Sequence, residues 1–107
     1  MNILQELDNA RIDLTTLSIR DKSDRIYNVA ENIEEAMQLI QDEEMKKAHD
    51  IIVDVMRLVS AYALKNDNKR IKSVGDQLDK VLKEMRKQEN DNDSAIASLR
   101  AIANKIL

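Results

Sequence analysis

The chain has 107 residues, a net charge of −3, 43% hydrophobic and 35% charged residues, one Gly, no Pro and no Cys. This length predicts one domain spanning 1–107, and so few turn residues exclude an all-β fold. Without Cys there are no disulfides, thiolate zinc sites, iron–sulfur clusters or Cys nucleophiles, and with Tyr27 and Tyr62 as the only aromatic residues no base-stacking platform is available.

Apolar residues recur at helical spacing almost throughout. The first predicted helix runs from about Asn2 to Arg20, with Ile3, Leu7, Ala10, Leu14 and Leu17 on one face. RDKSD follows, offering Ser23 or Asp24 as an N-cap. The second helix, about Asp24 to Gln41, presents Ile26, Val29, Ala30, Ile33, Met37 and Ile40, while Leu39 points off that face. One turn further the same face reaches Glu44, which does not belong in a core. A break is therefore expected at residues 41–44, with Asp42 or Glu43 starting the third helix. Whether the two helices join as one kinked helix is left open.

The third helix, to Leu64, is the most apolar. It carries one stripe of Ile51, Val55, Leu58 and Tyr62 beside a second of Ile52, Met56, Val59 and Ala63. A face this broad suggests a central helix. KNDNK breaks the pattern. The fourth helix, about Lys69 to Gln88, shows Ile71, Val74, Leu78, Leu82 and Met85, with Gly75 beside this face to permit close helix approach. ENDND at 89–93 reads as a loop, and a fifth helix from about Ser94 carries Ile96, Leu99, Ile102, Ala103 and Ile106. The expected fold is all-α: a compact antiparallel bundle of four to five helices. Its expected core includes Leu7, Leu14, Ile33, Met37, Ile51, Val55, Leu58, Leu78 and Leu82.

A weak repeat runs through the chain. RIYNVAENIEEAMQLI (25–40) aligns with RIKSVGDQLDKVLKEM (70–85) at an offset of 45, and Leu7, Ala10, Leu14 and Leu17 then align with Ile52, Val55, Val59 and Tyr62. A duplicated helical hairpin would give this pattern. So would amphipathic patterning alone, or a short α-solenoid.

Two surfaces stand out. Ile12 and Ile19, with Thr15 between them, lie nearly opposite the main stripe of the first helix, and apolar character on two sides calls for a second covering surface. That cover could be another helix of the chain, a second copy, or a foreign partner. The second surface is electrostatic. Between Ile26 and Met45 there are six acids and no Lys or Arg, whereas Lys65 to Lys87 holds eight bases against four acids. The acids include Glu31, Glu34 and Glu35, a candidate docking face for a basic partner; an acidic and a basic helix packed side by side would explain the same pattern.

Catalytic constellations are sparse. One His and no Cys exclude a Cys–His pair, and one Gly excludes a Gly-rich phosphate loop. A small helical bundle with a single helical His, His49, resembles the histidine-phosphotransfer domains, and His49-Asp50 resembles the start of histidine-kinase dimerisation hairpins. The resemblance implies phosphoryl transfer through His49. The phosphotransfer pattern would place Lys three and Gly four residues on, where this chain has Ile52 and Val53. Glu31, Glu34 and Glu35 with Asp50 and Asp54 resemble the carboxylates of all-α nucleotide pyrophosphohydrolases, which implies Mg²⁺ held between facing helices. The acids here lie on polar faces, so convergence would need an intersubunit site.

The first residues are amphipathic and carry Glu6 and Asp8 before any base, unlike a signal peptide. The longest aliphatic run, Ile51–Val53, is too short to span a membrane. A net charge of −3 argues against non-specific binding to nucleic acid or anionic membranes. The reading that follows is a cytoplasmic, non-catalytic protein–protein interaction protein, a regulator, inhibitor or adaptor. It would need no cofactor or metal and could form a homodimer. Its expected contact residues are Ile12, Thr15, Ile19, Glu31, Glu34 and Glu35.

Overall fold

The computed structural model describes residues 2–65 and 69–106, with side chains described as far as Gln88. The chain is all-helical: α1 (Ile3–Asp21), α2 (Asp24–Gln41), α3 (Met45–Lys65) and α4 (Lys69–Ile106). Among the described residues α1 packs on α2, α2 on α3, α3 on α4, and α4 back on α1, with no close backbone approach across either diagonal. The result is a helical bundle in which every helix has two neighbours around a shared core.

Local chemistry sets each boundary. Asn2 caps α1 by accepting the Gln5 N–H on its side-chain oxygen at 3.2 Å. Lys22 then turns left-handed (φ 51), and the Ser23 N–H reaches back to the Ser18 carbonyl at 2.9 Å. Ser23 also starts the next helix, its hydroxyl accepting the Ile26 N–H at 3.3 Å. One serine thus closes one helix and opens another, which keeps the connection to two residues, 22–23.

The expected break after α2 is present at 42–44. Glu43 is left-handed (φ 63); its N–H bonds the Ile40 carbonyl at 3.1 Å, and the Glu44 N–H bonds the Leu39 carbonyl at 2.8 Å. These are the two bonds of a Schellman ending, made here without glycine. The motif consumes Asp42 and Glu43, so α3 begins at Met45 rather than at either of them. The reversal also brings Leu39 against the core instead of leaving it pointing away.

The core contains Ile3, Leu7, Ala10, Leu14 and Leu17 of α1 and Ile26, Val29, Ala30, Ile33 and Ala36 of α2. From α3 and α4 it receives Ala48, Ile52, Val55 and Val59, and Ile71, Val74, Leu78, Val81, Leu82 and Met85. Each fully buried large aliphatic side chain contributes about 1.5–3 kcal/mol by leaving water.

Three expectations need correction here. The buried stripe of α3 is Ala48–Ile52–Val55–Val59; Ile51 is only half-buried and Leu58 is 47% exposed, so neither anchors the core. Met37 likewise packs at the core margin. Nor is α3 central, since among the described residues its backbone lies close only to α2 and α4. Both follow from a four-membered ring, in which a helix needs only a face directed between two neighbours.

The third correction concerns 89–93. The backbone stays helical there, so the two expected C-terminal helices are one of 38 residues. The segment holds no Pro or Gly, and Asn and Asp each cost only a few tenths of a kcal/mol against better helix formers. The proposed face Ile96, Leu99, Ile102, Ala103 and Ile106 lies outside the described side chains. At 1.5 Å per residue α4 is about 57 Å long, roughly twice its neighbours, which accounts for overall dimensions of 63 × 24 × 19 Å.

Gly75 is not a close-approach residue. A Cβ built there would meet the nearest Val59 methyl at 3.8 Å, an ordinary contact. No described helix is long and apolar enough to cross a membrane.

Candidate functional site

The residues singled out from the sequence lie on α1 and α2. The core stripe of α1 turns Ile12 and Ile19 away from the bundle, where they are 47% and 73% exposed. Thr15 lies between them and donates its hydroxyl to the Arg11 carbonyl at 2.9 Å. On α2 the inward residues Ile26, Val29, Ala30, Ile33 and Ala36 leave Glu31, Glu34 and Glu35 exposed.

The two helices meet in a shallow hollow of about 90 Å³ lined by Arg11, Thr15, Tyr27, Ala30, Glu31 and Glu34. The fold thus brings Thr15 beside Glu31 and Glu34. Ile12, Ile19 and Glu35 do not line the hollow. Tyr27 was not anticipated: it is 48% exposed and precedes Glu31 by one helical turn. The available signal was its position off the stripe of Ile26, Val29, Ala30 and Ile33.

The face is acidic with little local compensation. Its one lining cation, Arg11, is held by Asp8 at 2.8 Å. Among the described residues no ion pair engages Glu31, Glu34 or Glu35. In the hollow the carboxylates Glu31 and Glu34 sit with half-exposed Tyr27, an amphipathic surface able to take an apolar side chain flanked by cations.

The alternative chemistries find less support in the geometry. His49 is half-buried at the start of α3, and its Nε2 is enclosed without a hydrogen-bond partner. A phosphoryl acceptor needs an imidazole nitrogen that a donor can approach, and Nε2 is closed to such approach in this packing. Among the described residues no three acids or histidines lie close enough to hold a metal ion. Glu31, Glu34 and Glu35 therefore do not converge with Asp50 and Asp54 within one chain.

A second hollow, about 90 Å³, opens where all four helices meet; Leu14, Ile26, Val29, Val59 and Ile71 form its apolar wall, with Arg25 and Lys65 also lining it. Tyr62 lines it too and donates its hydroxyl to Asp21 Oδ2 at 3.3 Å, which ties α3 to the end of α1. Partial burial, then the Asp21 charge and hydrogen bond, raise the Tyr62 phenol above its ordinary value of 10.0.

No protein-family model matches the sequence, and no curated protein and no solved structure matches it significantly.

Proposed function

We propose that this is a small non-catalytic interaction protein, a regulator, inhibitor or adaptor, whose α1/α2 face binds a protein partner. One observation carries the reading. Tyr27 and Thr15 share a hollow with Glu31 and Glu34, Ile12 and Ile19 are exposed on the same α1, and no cation of the described chain engages Glu31, Glu34 or Glu35. The partner's complementary element carries apolar side chains flanked by Lys or Arg, an arrangement that steers encounter and fixes register. A cytoplasmic setting suits this reading.

A homodimer through Ile12 and Ile19 is the second reading, favoured by the exposure of both side chains on the outer side of α1. A two-fold pairing there would also bring like-charged Glu31 and Glu35 of two copies towards each other, and like charges facing across an interface are unfavourable. For that reason the foreign partner ranks first.

The same reading takes the bundle as an antiparallel, up-and-down arrangement of a duplicated hairpin. Short connections favour antiparallel neighbours. Core positions also repeat at the offset of 45: Ile3, Leu7, Ala10 and Leu14 correspond to Ala48, Ile52, Val55 and Val59, and Ile26, Val29, Ile33 and Ala36 to Ile71, Val74, Leu78 and Val81.

The test is partner capture with wild-type chain against two variants. One carries Ile12→Asp with Ile19→Asp; the other reverses Glu31, Glu34 and Glu35 to Lys. Each variant is expected to weaken capture by roughly tenfold or more, about 1.4 kcal/mol. Undiminished capture by both would reject this face. Light scattering over a range of concentrations decides the homodimer: a monomer throughout removes it.

A further inference from the structure

The helix with the broadest apolar surface does not use all of it. The bundle buries Ala48, Ile52, Val55 and Val59 of α3. Val53 and Met56 stay half-buried on its outer flank, and Leu64 is 90% exposed. These residues are not scattered. With Leu82 of α4 they line a groove of about 510 Å³ between α3 and α4, whose other walls include Arg57, Lys83 and Arg86.

The groove has the geometry of a helix cradle. Its α3 side follows positions 53, 56, 57, 60, 61 and 64, and its α4 side follows 79, 82, 83 and 86. Both are single helical faces, and the α3 side spans about 16 Å, or three turns. The small residues Ser60 and Ala61 let an approaching backbone come near. A pocket of this volume, with an apolar floor and a few charges at the edge, lies within the range of real binding sites.

Charge selects the occupant. Arg57, Lys83 and Arg86 line the groove against one acid, Asp79. Asp79 bonds Lys83 at 2.9 Å, while Arg57 lies 3.9 Å from Asp54 with both side chains largely in water, an interaction worth little. The groove is also the counterpart, at the offset of 45, of the acidic α1/α2 face: Thr15 corresponds to Ser60, Ile19 to Leu64 and Glu34 to Asp79. At the same offset Ile12 becomes Arg57, while Glu34 stays acidic as Asp79, so the basic character of the groove comes from Arg57, Lys83 and Arg86.

We infer that the α3/α4 groove is a second docking site, which takes an acidic amphipathic helix of a partner protein. Leucine-type side chains at i, i+3 or i+4 and i+7 sit over Val53, Met56, Leu64 and Leu82, and Glu or Asp flanks meet Arg57, Lys83 and Arg86. The inference stands independently of the α1/α2 face.

The test uses the full chain and a synthetic helical peptide of about four turns, with Leu at the i, i+3, i+7 positions and Glu on both flanks. Two controls replace Glu with Lys, or Leu with Ser. Backbone amide shifts are followed during titration. The Glu peptide is expected to move resonances of 53–64 and 79–86 and to leave α1 undisturbed. Binding should weaken roughly tenfold in Arg57→Glu/Arg86→Glu and also when ionic strength rises well above physiological. Both positions are exposed, so the variant keeps its fold, checked by circular dichroism. Equal binding of the Lys or Ser peptide, shifts confined to α1 and α2, or no shifts up to the solubility limit would each overturn the inference. Groove resonances that move with the concentration of the chain alone would also overturn it, by showing that a second copy is the occupant.

Discussion

Gly75 and Glu43 occupy each other's natural environments. Gly75 sits inside α4, where a glycine costs about 1 kcal/mol relative to Ala, and the space for a methyl group is already open towards Val59. Gly75→Ala is expected to raise stability by about 1 kcal/mol in urea unfolding. Glu43 instead holds a left-handed conformation that glycine adopts without strain. Glu43→Gly should stabilise by about 0.5–1 kcal/mol, and a loss of stability would show that its side chain contributes something else. His49 encloses Nε2 without a partner, so His49→Leu should also gain about 1 kcal/mol. Tyr62 gives the pH dependence. Its folded-state phenol is raised above 10.0, by partial burial first and by Asp21 second, so the folded state favours the neutral form. That contribution is fully present below pH 10 and is lost as pH rises through the folded value. Tyrosinate absorbance should therefore develop at lower pH in Asp21→Asn than in the wild type.

Among the helices, α3 shows what was legible in the sequence and what was not. Period alone leaves two stripes on α3 equally good, because both are aliphatic. The register of the internal repeat picks a face that takes residues from both: Leu7, Ala10 and Leu14 point to Ile52, Val55 and Val59, and these are residues the bundle buries. Ile52→Ala should cost about 3 kcal/mol and Leu58→Ala less than about 1 kcal/mol, measured by chemical denaturation. Equal costs would mean that α3 is rotated. α1 was fully legible because it has only one unbroken aliphatic stripe. The continuity of α4 was not, since polar Asn and Asp read as loop while lacking the Pro or Gly that would stop a helix. Backbone carbon shifts should be helical through 89–93; a run of coil values there would restore two separate helices.

For the whole molecule, four helices closed in a ring bury one face each and leave the helix pairs with outward surfaces of different chemistry. One pair, α1 and α2, exposes apolar residues among acids; the other, α3 and α4, exposes them among bases. The candidate face was legible residue by residue, because Ile12 and Ile19 are out of phase with the core stripe. Its composition across two helices was not. The meeting of Thr15, Tyr27, Glu31 and Glu34 in one hollow depends on how α1 packs on α2. The most direct test of this face is photo-crosslinking from a benzophenone side chain placed at Thr15 in the full-length chain within its native cells. An adduct of one discrete partner from Thr15, absent when the probe is moved to exposed Asp50, is the predicted result. No adduct from Thr15, or the same adducts from both positions, would contradict the assignment of α1 and α2 as the surface on which this protein acts.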